Sequence, residues 1–156
     1  MRCRRTGFVL ALAALLQLGV PAVSRATDAG TDSTLLAKGA APNGIAVGNR
    51  GATDVIVREV TIAPGGSTGW HYHPGAVVAV VKSGTLTRTL HDCSTEVTSA
   101  GTAIVEPAGR AHSHNGRNLG TEPVVLVATY LLPAGQPLSQ EIPEPTHCRP
   151  PEREAP

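Results

Sequence analysis

Short runs of apolar residues, rich in Val, Leu, Ile and Thr and separated by Gly and Pro, dominate the chain from residue 54 onwards. Each run has the length of a β-strand, and most are followed at once by turn-forming residues. The segment 84–90 alternates polar and apolar positions, as in a strand with one face in water, whereas 77–81 is apolar on both faces and is predicted to be central. Eight strands are predicted: 55–63, 68–73, 76–82, 84–91, 95–98, 102–106, 111–115 and 123–132. This pattern predicts an all-β sandwich or barrel.

The segments on either side of these strands have a different composition. Residues 27–50 are rich in Gly, Ala, Thr and Asp and are predicted to form an N-terminal arm that could contribute one edge strand. After Pro133, prolines are mixed with Glu and Arg, so residues 134–156 are predicted to be an irregular, proline-rich tail with a disordered end. The barrel itself is therefore expected over residues 51–133.

The first 26 residues have the organisation of a signal peptide. An arginine-rich start precedes an apolar run over 8–20, and Ser24-Arg25-Ala26 has the small-x-small pattern of a cleavage site. The run is too short to span a bilayer comfortably, although an uncleaved N-terminal anchor is the alternative. We expect export by the Sec or the twin-arginine route, cleavage near Ala26, and a secreted or periplasmic protein without a stable membrane anchor.

The charge of the mature chain argues against one class of partner. The whole chain has a formal charge of +1, but removal of residues 1–26 leaves nine Lys and Arg residues against twelve acidic residues, a formal charge of −3. A mildly acidic domain is not attracted to a phosphate backbone, so nucleic acid is not expected as a partner.

Two cysteines remain after the predicted cleavage, Cys93 and Cys148. In an oxidising compartment an even pair predicts a disulfide, which would tie the tail back to the barrel. The bridge would close a loop of 54 intervening residues and would stabilise the fold by about 4 kcal/mol through the entropy of the unfolded chain. Two unpaired thiols are the alternative.

Two histidine clusters carry the chemistry of this sequence: His71-Tyr72-His73 and His112-Ser113-His114. On a β-strand, residues two apart lie on the same face, so each His-x-His pair is expected to direct both imidazoles to one side. Imidazole nitrogens are good ligands for transition metals. Four of them could therefore converge inside one small barrel.

The residues around both clusters resemble the two sequence motifs of the cupin family. The first motif, G-x5-H-x-H-x3,4-E-x6-G, is matched by Gly65, His71, His73 and Gly84. The second, G-x5-P-x-G-x2-H-x3-N, is matched by Gly101, Pro107, Gly109 and His112. The chain thus resembles a small single-domain cupin of the type 2 kind, which implies a jelly-roll barrel and a site for a divalent transition metal: Fe, Mn, Ni, Cu or Zn.

The chain departs from the cupin pattern at one metal ligand. Cupins usually supply a glutamate from the first motif, but its candidate positions are occupied here by Ala76, Val77 and Val78. The resemblance then implies a neutral ligand set of His71, His73 and His112. A few cupins of the thiol dioxygenase kind are similar in lacking this glutamate.

His114 has no counterpart in the cupin pattern. It follows His112 by two residues on the predicted strand 111–115, so it is predicted to face the same cavity. We interpret it either as a fourth ligand in place of the missing carboxylate or as an acid/base group beside the metal. A histidine that makes a hydrogen bond at the mouth of the barrel is the alternative.

Other residues near the clusters have weaker claims to a role. Trp70 and Tyr72 alternate with the histidines, so they are expected to face away from the metal, towards the core or a dimer interface. Glu106 is the acid nearest the second cluster and could act as a remote base. His91 and His147 are predicted to be solvated.

Two functions fit these expectations. A metal held by three neutral imidazoles keeps its charge and open coordination positions, which suits a metal-dependent, oxygenase-like enzyme acting on a small organic substrate. The alternative is a non-catalytic cupin that binds metal or a small ligand, because the fold alone does not determine the activity. A homodimer is a further expectation from the resemblance, because cupins often pair through their outer sheet.

Overall fold

The computed structural model describes residues 33–48 and 50–149. The predicted signal peptide and its cleavage site, the start of the N-terminal arm and the end of the tail lie outside the described residues. The chain divides into two compact units, 1–33 and 34–156, and all described residues except Ser33 belong to the second.

Nine antiparallel β-strands are the main secondary structure of the described residues. They are β1 (Thr53–Ile62), β2 (His71–Tyr72), β3 (Ala76–Ser83), β4 (Thr85–Leu90), β5 (Thr95–Ser99), β6 (Ala103–Glu106), β7 (His114–Arg117), β8 (Val124–Pro133) and β9 (Gln140–Glu141). Two single-turn 3-10 helices, Arg110–His112 and Thr146–Cys148, complete the elements. No helix in the described part of the chain is long and apolar enough to span a membrane.

The strands form two sheets, and the predicted all-β jelly roll is confirmed. One sheet has the order β1-β8-β3-β6 and the other the order β5-β4-β7-β2-β9. The run 77–81 lies in β3 between β8 and β6, as expected for a central strand. Sequence-distant segments therefore become neighbours, and the two histidine clusters meet because β2 pairs with β7.

The core follows from the alternation along β3 and β8. Every second residue of β8 is buried, and β3 alternates in the same way. The buried apolar side chains form one cluster: Ile62, Val77, Ala79, Val81, Leu86, Ile104, Val124, Leu126, Ala128, Tyr130 and Leu132. The core is aliphatic apart from Tyr130, and the metal-ligand candidates lie at one end of it.

The predicted strand 111–115 is wrong. Residues 110–112 form a 3-10 turn, and β7 runs from His114 to Arg117. Gly109 has a φ of 100°, which turns the chain in a way that glycine adopts without strain. The His112 N–H then donates to the Gly109 carbonyl. A turn, rather than a strand, therefore precedes His114.

The two ends of the described chain pack against the barrel. Ala40 of the arm pairs with Thr102 in an isolated parallel bridge, which is less than the edge strand that the sequence suggested. In the tail, β9 pairs with β2 and extends the five-stranded sheet, although no strand was predicted there. Cys93 and Cys148 are joined in a disulfide with a Cα–Cα distance of 5.3 Å.

Candidate metal centre

Three histidines converge between the two sheets. His71 begins β2, His73 follows its end, and His114 begins β7 directly opposite His71. The three residues are 9%, 4% and 3% exposed. Their ring centroids are 4.9 Å (71–73), 4.5 Å (71–114) and 5.4 Å (73–114) apart. One ligand nitrogen from each lies within 4.8 Å of the others, so the three rings are grouped closely enough to share one cation.

The backbone fixes the tautomer of each ring. The Nδ1 atoms of His71, His73 and His114 lie 3.0, 2.7 and 3.0 Å from the carbonyl oxygens of Gly69, Leu138 and His112 respectively. A carbonyl oxygen only accepts a hydrogen bond, so each Nδ1 carries a proton. In the neutral rings the lone pair is then on Nε2, and a metal-binding histidine commonly donates its other ring N–H to such a partner.

A carboxylate faces two of these rings. Glu106, the last residue of β6, places Oε2 3.1 Å from His73 Nε2 and Oε1 3.2 Å from His114 Nε2. Arg88 of β4 approaches the same carboxylate, with Nη1 3.3 Å from Oε1, and its Nη2 donates to Glu96. The Arg88 guanidinium and the Glu106 carboxylate are both largely buried.

Burial and pairing set the protonation of this group of residues. Burial raises the pKa of Glu106, but hydrogen bonds from His114 and His73 outweigh it and hold that pKa well below its usual range. Burial lowers the pKa of His114, but the Glu106 carboxylate raises it on balance. Burial also lowers the pKa of His71. In the metal-free protein the site therefore contains an ionised carboxylate and histidines of unequal proton affinity.

His112 does not join this group. It ends the 3-10 turn, its side chain is exposed, and its ring lies 6.1 Å from that of exposed His91. The prediction that His112 and His114 lie on one strand is wrong, because residues 110–112 form a 3-10 turn after Gly109. His112 contributes its carbonyl oxygen, which holds His114 Nδ1. The third imidazole of the cluster is His114.

The other candidate residues differ in burial and in their contacts. Trp70 is buried, and Tyr72 is partly buried with its hydroxyl donating to Gln140. His147 is exposed, as expected, and its Nε2 contacts the carbonyl oxygen of His91. From the sequence, Glu106 was given only a remote role and Arg88 none, because their contact depends on the approach of β4 and β6, which lie in different sheets.

Three cavities adjoin the histidines, one of which, of about 240 Å³, is lined by His114, Glu106 and Arg88. An inner cavity of about 60 Å³ lies between the sheets and is lined by the three histidines, Glu106 and core side chains. An outer cavity of about 390 Å³ reaches His71 and His73 and is also lined by Arg58 and Tyr130. The histidines therefore separate a water-sized chamber from an opening large enough for a small organic molecule.

Comparison with known proteins agrees with this architecture. Residues 58–130 match the family described as cupin domain. No curated protein sequence matches the chain.

Several solved structures are similar. The polyketide cyclase RemF from Streptomyces resistomycificus has a TM-score of 0.50 at 22% identity, over 63% of this chain and 67% of the cyclase. A cupin domain from Bordetella pertussis Tohama I has a TM-score of 0.44 at 28% identity, over 63% of this chain and 98% of that one. A conserved protein with a double-stranded β-helix domain from Klebsiella pneumoniae has a TM-score of 0.49 at 22% identity, over 56% and 76% of the two chains.

These likenesses concern the fold. Residues 58–130 match the cupin domain family, and the two antiparallel sheets and the histidine-bearing motifs on them agree with that match.

Proposed function

We propose that this cupin binds one divalent transition metal through the Nε2 atoms of His71, His73 and His114. The observation that carries the proposal is the commitment of all three Nδ1 atoms to backbone carbonyl oxygens. With Nδ1 occupied, the Nε2 atom of each neutral ring is free to bind a metal, and the three rings lie close enough together to share one ion. Neutral imidazoles suit Zn, Cu, Fe and Ni, and the identity of the metal is left to measurement.

An oxygenase-like reaction on a small organic substrate is the activity that we propose for this site. A bound metal would supply Lewis acidity and an open position for a substrate atom. The outer cavity would hold the substrate against His71 and His73. Arg58 and Tyr130 line the same cavity, so a substrate with an anionic or hydrogen-bonding group would find partners there.

A non-catalytic metal-binding protein is the second candidate. The inner cavity favours it, because a volume of about 60 Å³ beside the histidines is enough for a few water molecules. Turnover separates the candidates. The metal-loaded protein is screened for oxygen consumption with small thiols, diketones and hydroxy acids, and consumption that disappears after chelation supports the enzyme, whereas none with metal fully loaded supports the binder.

Metal binding itself is tested on the chelated, full-length protein. Titration with Zn(II) or Co(II) followed by elemental analysis should give one metal per chain, and His71→Ala should remove it. A wild-type protein that retains no metal after dialysis would contradict the proposal. The disulfide group of Cys93, His147 and Cys148 offers no competing site while its sulfurs are joined to each other.

We also propose export and self-association for this chain. Disulfides persist in oxidising compartments, so the Cys93–Cys148 bridge supports export. Exposed Val55 and Val57 lie in register beside Leu131 and Thr129 on the outer face of the four-stranded sheet, which supports a homodimer. Fractionation of the native cells and light scattering of the purified protein test the two proposals separately.

A further inference from the structure

Glu106 is an ionised group beside the histidines that the proposed ligand set does not use. Its carboxylate side chain is 12% exposed and lies against the Nε2 atoms of His73 and His114. These are the atoms that the proposed function assigns to the metal. Glu106 and a bound cation would therefore meet at the same two nitrogen atoms.

The contacts between Glu106 and the two rings require a proton or a metal ion between the paired atoms. Nδ1 of each ring already donates to a carbonyl oxygen, so in the neutral rings Nε2 presents a lone pair, as does each carboxylate oxygen. Two lone pairs at 3.1 and 3.2 Å repel each other unless a proton or a metal ion lies between them. Two ligand atoms bound to one metal at about 2.0–2.2 Å stand roughly 3 Å apart, so the observed separations suit shared coordination.

The strand register places this carboxylate beside the position where the first cupin motif has its glutamate. Counting back from Gly84 through the six residues of that motif gives Val77. Val77 on β3 is the direct cross-strand partner of Glu106 on β6. In an antiparallel pair, directly opposite residues point to the same face of the sheet. Glu106 therefore reaches the same side of β3 and β6 as the buried Val77 side chain.

Arg88 holds the carboxylate from the opposite side. Its guanidinium contacts Glu106 through Nη1 and Glu96 through Nη2, and Glu96 is half-exposed whereas Glu106 is not. Two glutamates thus share one arginine, and of the two it is Glu106 that contacts the histidines. This pair provides a matched control for any effect that acts through Arg88.

We infer that Glu106 is a metal ligand that replaces, from β6, the carboxylate absent from β3, with Arg88 as its positioning residue. The site is then three histidines and one carboxylate, and the missing first-motif glutamate is compensated across the sheet. This inference rests on the proposed metal binding. The ligand set, without the metal, would then carry one negative charge instead of none.

The test compares wild type with Glu106→Gln and Glu96→Gln. Infrared difference spectra of the full-length protein are recorded before and after addition of Zn(II), together with the Zn(II) dissociation constant. The wild-type and Glu96→Gln proteins should show a carboxylate band that shifts on metal binding, and Glu106→Gln should not. Affinity should fall about 10- to 100-fold in Glu106→Gln and change by less than about threefold in Glu96→Gln.

The outcomes separate this inference from the proposed function. A wild-type protein that binds no Zn(II) overturns both. A Glu106→Gln protein that binds as tightly as wild type, or keeps the shifting band, overturns the inference and leaves the three-histidine site standing. Circular dichroism reports whether the Glu106→Gln variant folds. If the variant does not fold, the infrared spectrum of the wild type decides, and the absence of a carboxylate shift on addition of Zn(II) overturns the inference.

Discussion

The two His-x-His clusters have the same spacing and different structures. In the first, His71 and His73 are both buried and their rings are 4.9 Å apart. In the second, His114 is buried in the same group while His112 is exposed on a 3-10 turn. The two-residue period of a strand holds for the first cluster and fails for the second, because the chain before His114 is not extended. Spacing alone therefore does not identify a ligand pair.

The clusters also differ in the carbonyl oxygens that bind the Nδ1 atoms of their rings. His114 Nδ1 is held locally, by the carbonyl oxygen two residues earlier. His73 Nδ1 is held by Leu138, 65 residues later in the tail. The first cluster thus depends on the tail strand β9 and on the disulfide that fixes the tail, whereas the second depends on its own turn.

Removal of the disulfide should have the largest effect on stability and should act on the first cluster. The Cys93→Ser/Cys148→Ser variant should lose about 4 kcal/mol of unfolding free energy, because the unfolded chain regains the conformational entropy that the cross-link removes. The loss is measured by urea denaturation of the oxidised wild type and the variant. Histidine NMR should show His73 perturbed more than His114, and the reverse order would contradict the proposed dependence of the first cluster on the tail.

Replacement of Gly109 should have the next largest effect and should act on the second cluster. Gly109 has a φ of 100°, and Gly109→Ala should destabilise the protein by about 1–2 kcal/mol because a Cβ is strained in that conformation. No heavy atom beyond Gly109 and its two chain neighbours lies within 4 Å of the added Cβ, so strain and not collision causes the loss.

Gly120→Ala is the matched control, because Gly120 lacks a positive φ and its Cβ would make an ordinary contact with Asn118. Its melting temperature should stay close to that of wild type. Equal losses in the two variants would argue against backbone strain at Gly109.

The smallest effect concerns protonation in the metal-free protein. The pKa of His71 should lie below the ordinary value, because burial disfavours its charged form. Burial acts in the same direction on His114, but the Glu106 carboxylate reverses it, so the pKa of His114 should lie above the ordinary value. As the pH falls, His114 should therefore gain its proton before His71. NMR of the imidazole carbons over a pH series checks the order, and coincident titrations would contradict it.

The strands could be predicted where side chains alternate over a long stretch. β1, β3 and β8 each have eight or more residues and appear close to their predicted bounds. β9 was missed because two residues, Gln140 and Glu141, carry no periodic signal and form a strand only by pairing with β2. Local patterns reveal elements that are long enough to show their period.

The histidine group was predictable in part for the same reason. The positions of His71 and His73 follow from strand alternation. The turn at 110–112 depends on Gly109, and glycine adopts too many backbone conformations for its presence to predict this turn. The approach of Glu106 and Arg88 to the histidines depends on β6 and β4, which lie in different sheets. No local pattern encodes a contact between sheets, so the carboxylate of the site emerged only from the fold.

The most direct measurement of the central claim is the Zn(II) affinity of His114→Ala beside that of His112→Ala, in full-length protein stripped of metal. We predict that His114→Ala loses about 100-fold or more in affinity, because a ligand contributes at least as much as the outer partners whose loss costs 10- to 100-fold. His112→Ala keeps the backbone carbonyl that holds His114 and should bind within about threefold of wild type. The reverse result, with His112→Ala defective and His114→Ala normal, would contradict the assignment of His114 as the third ligand.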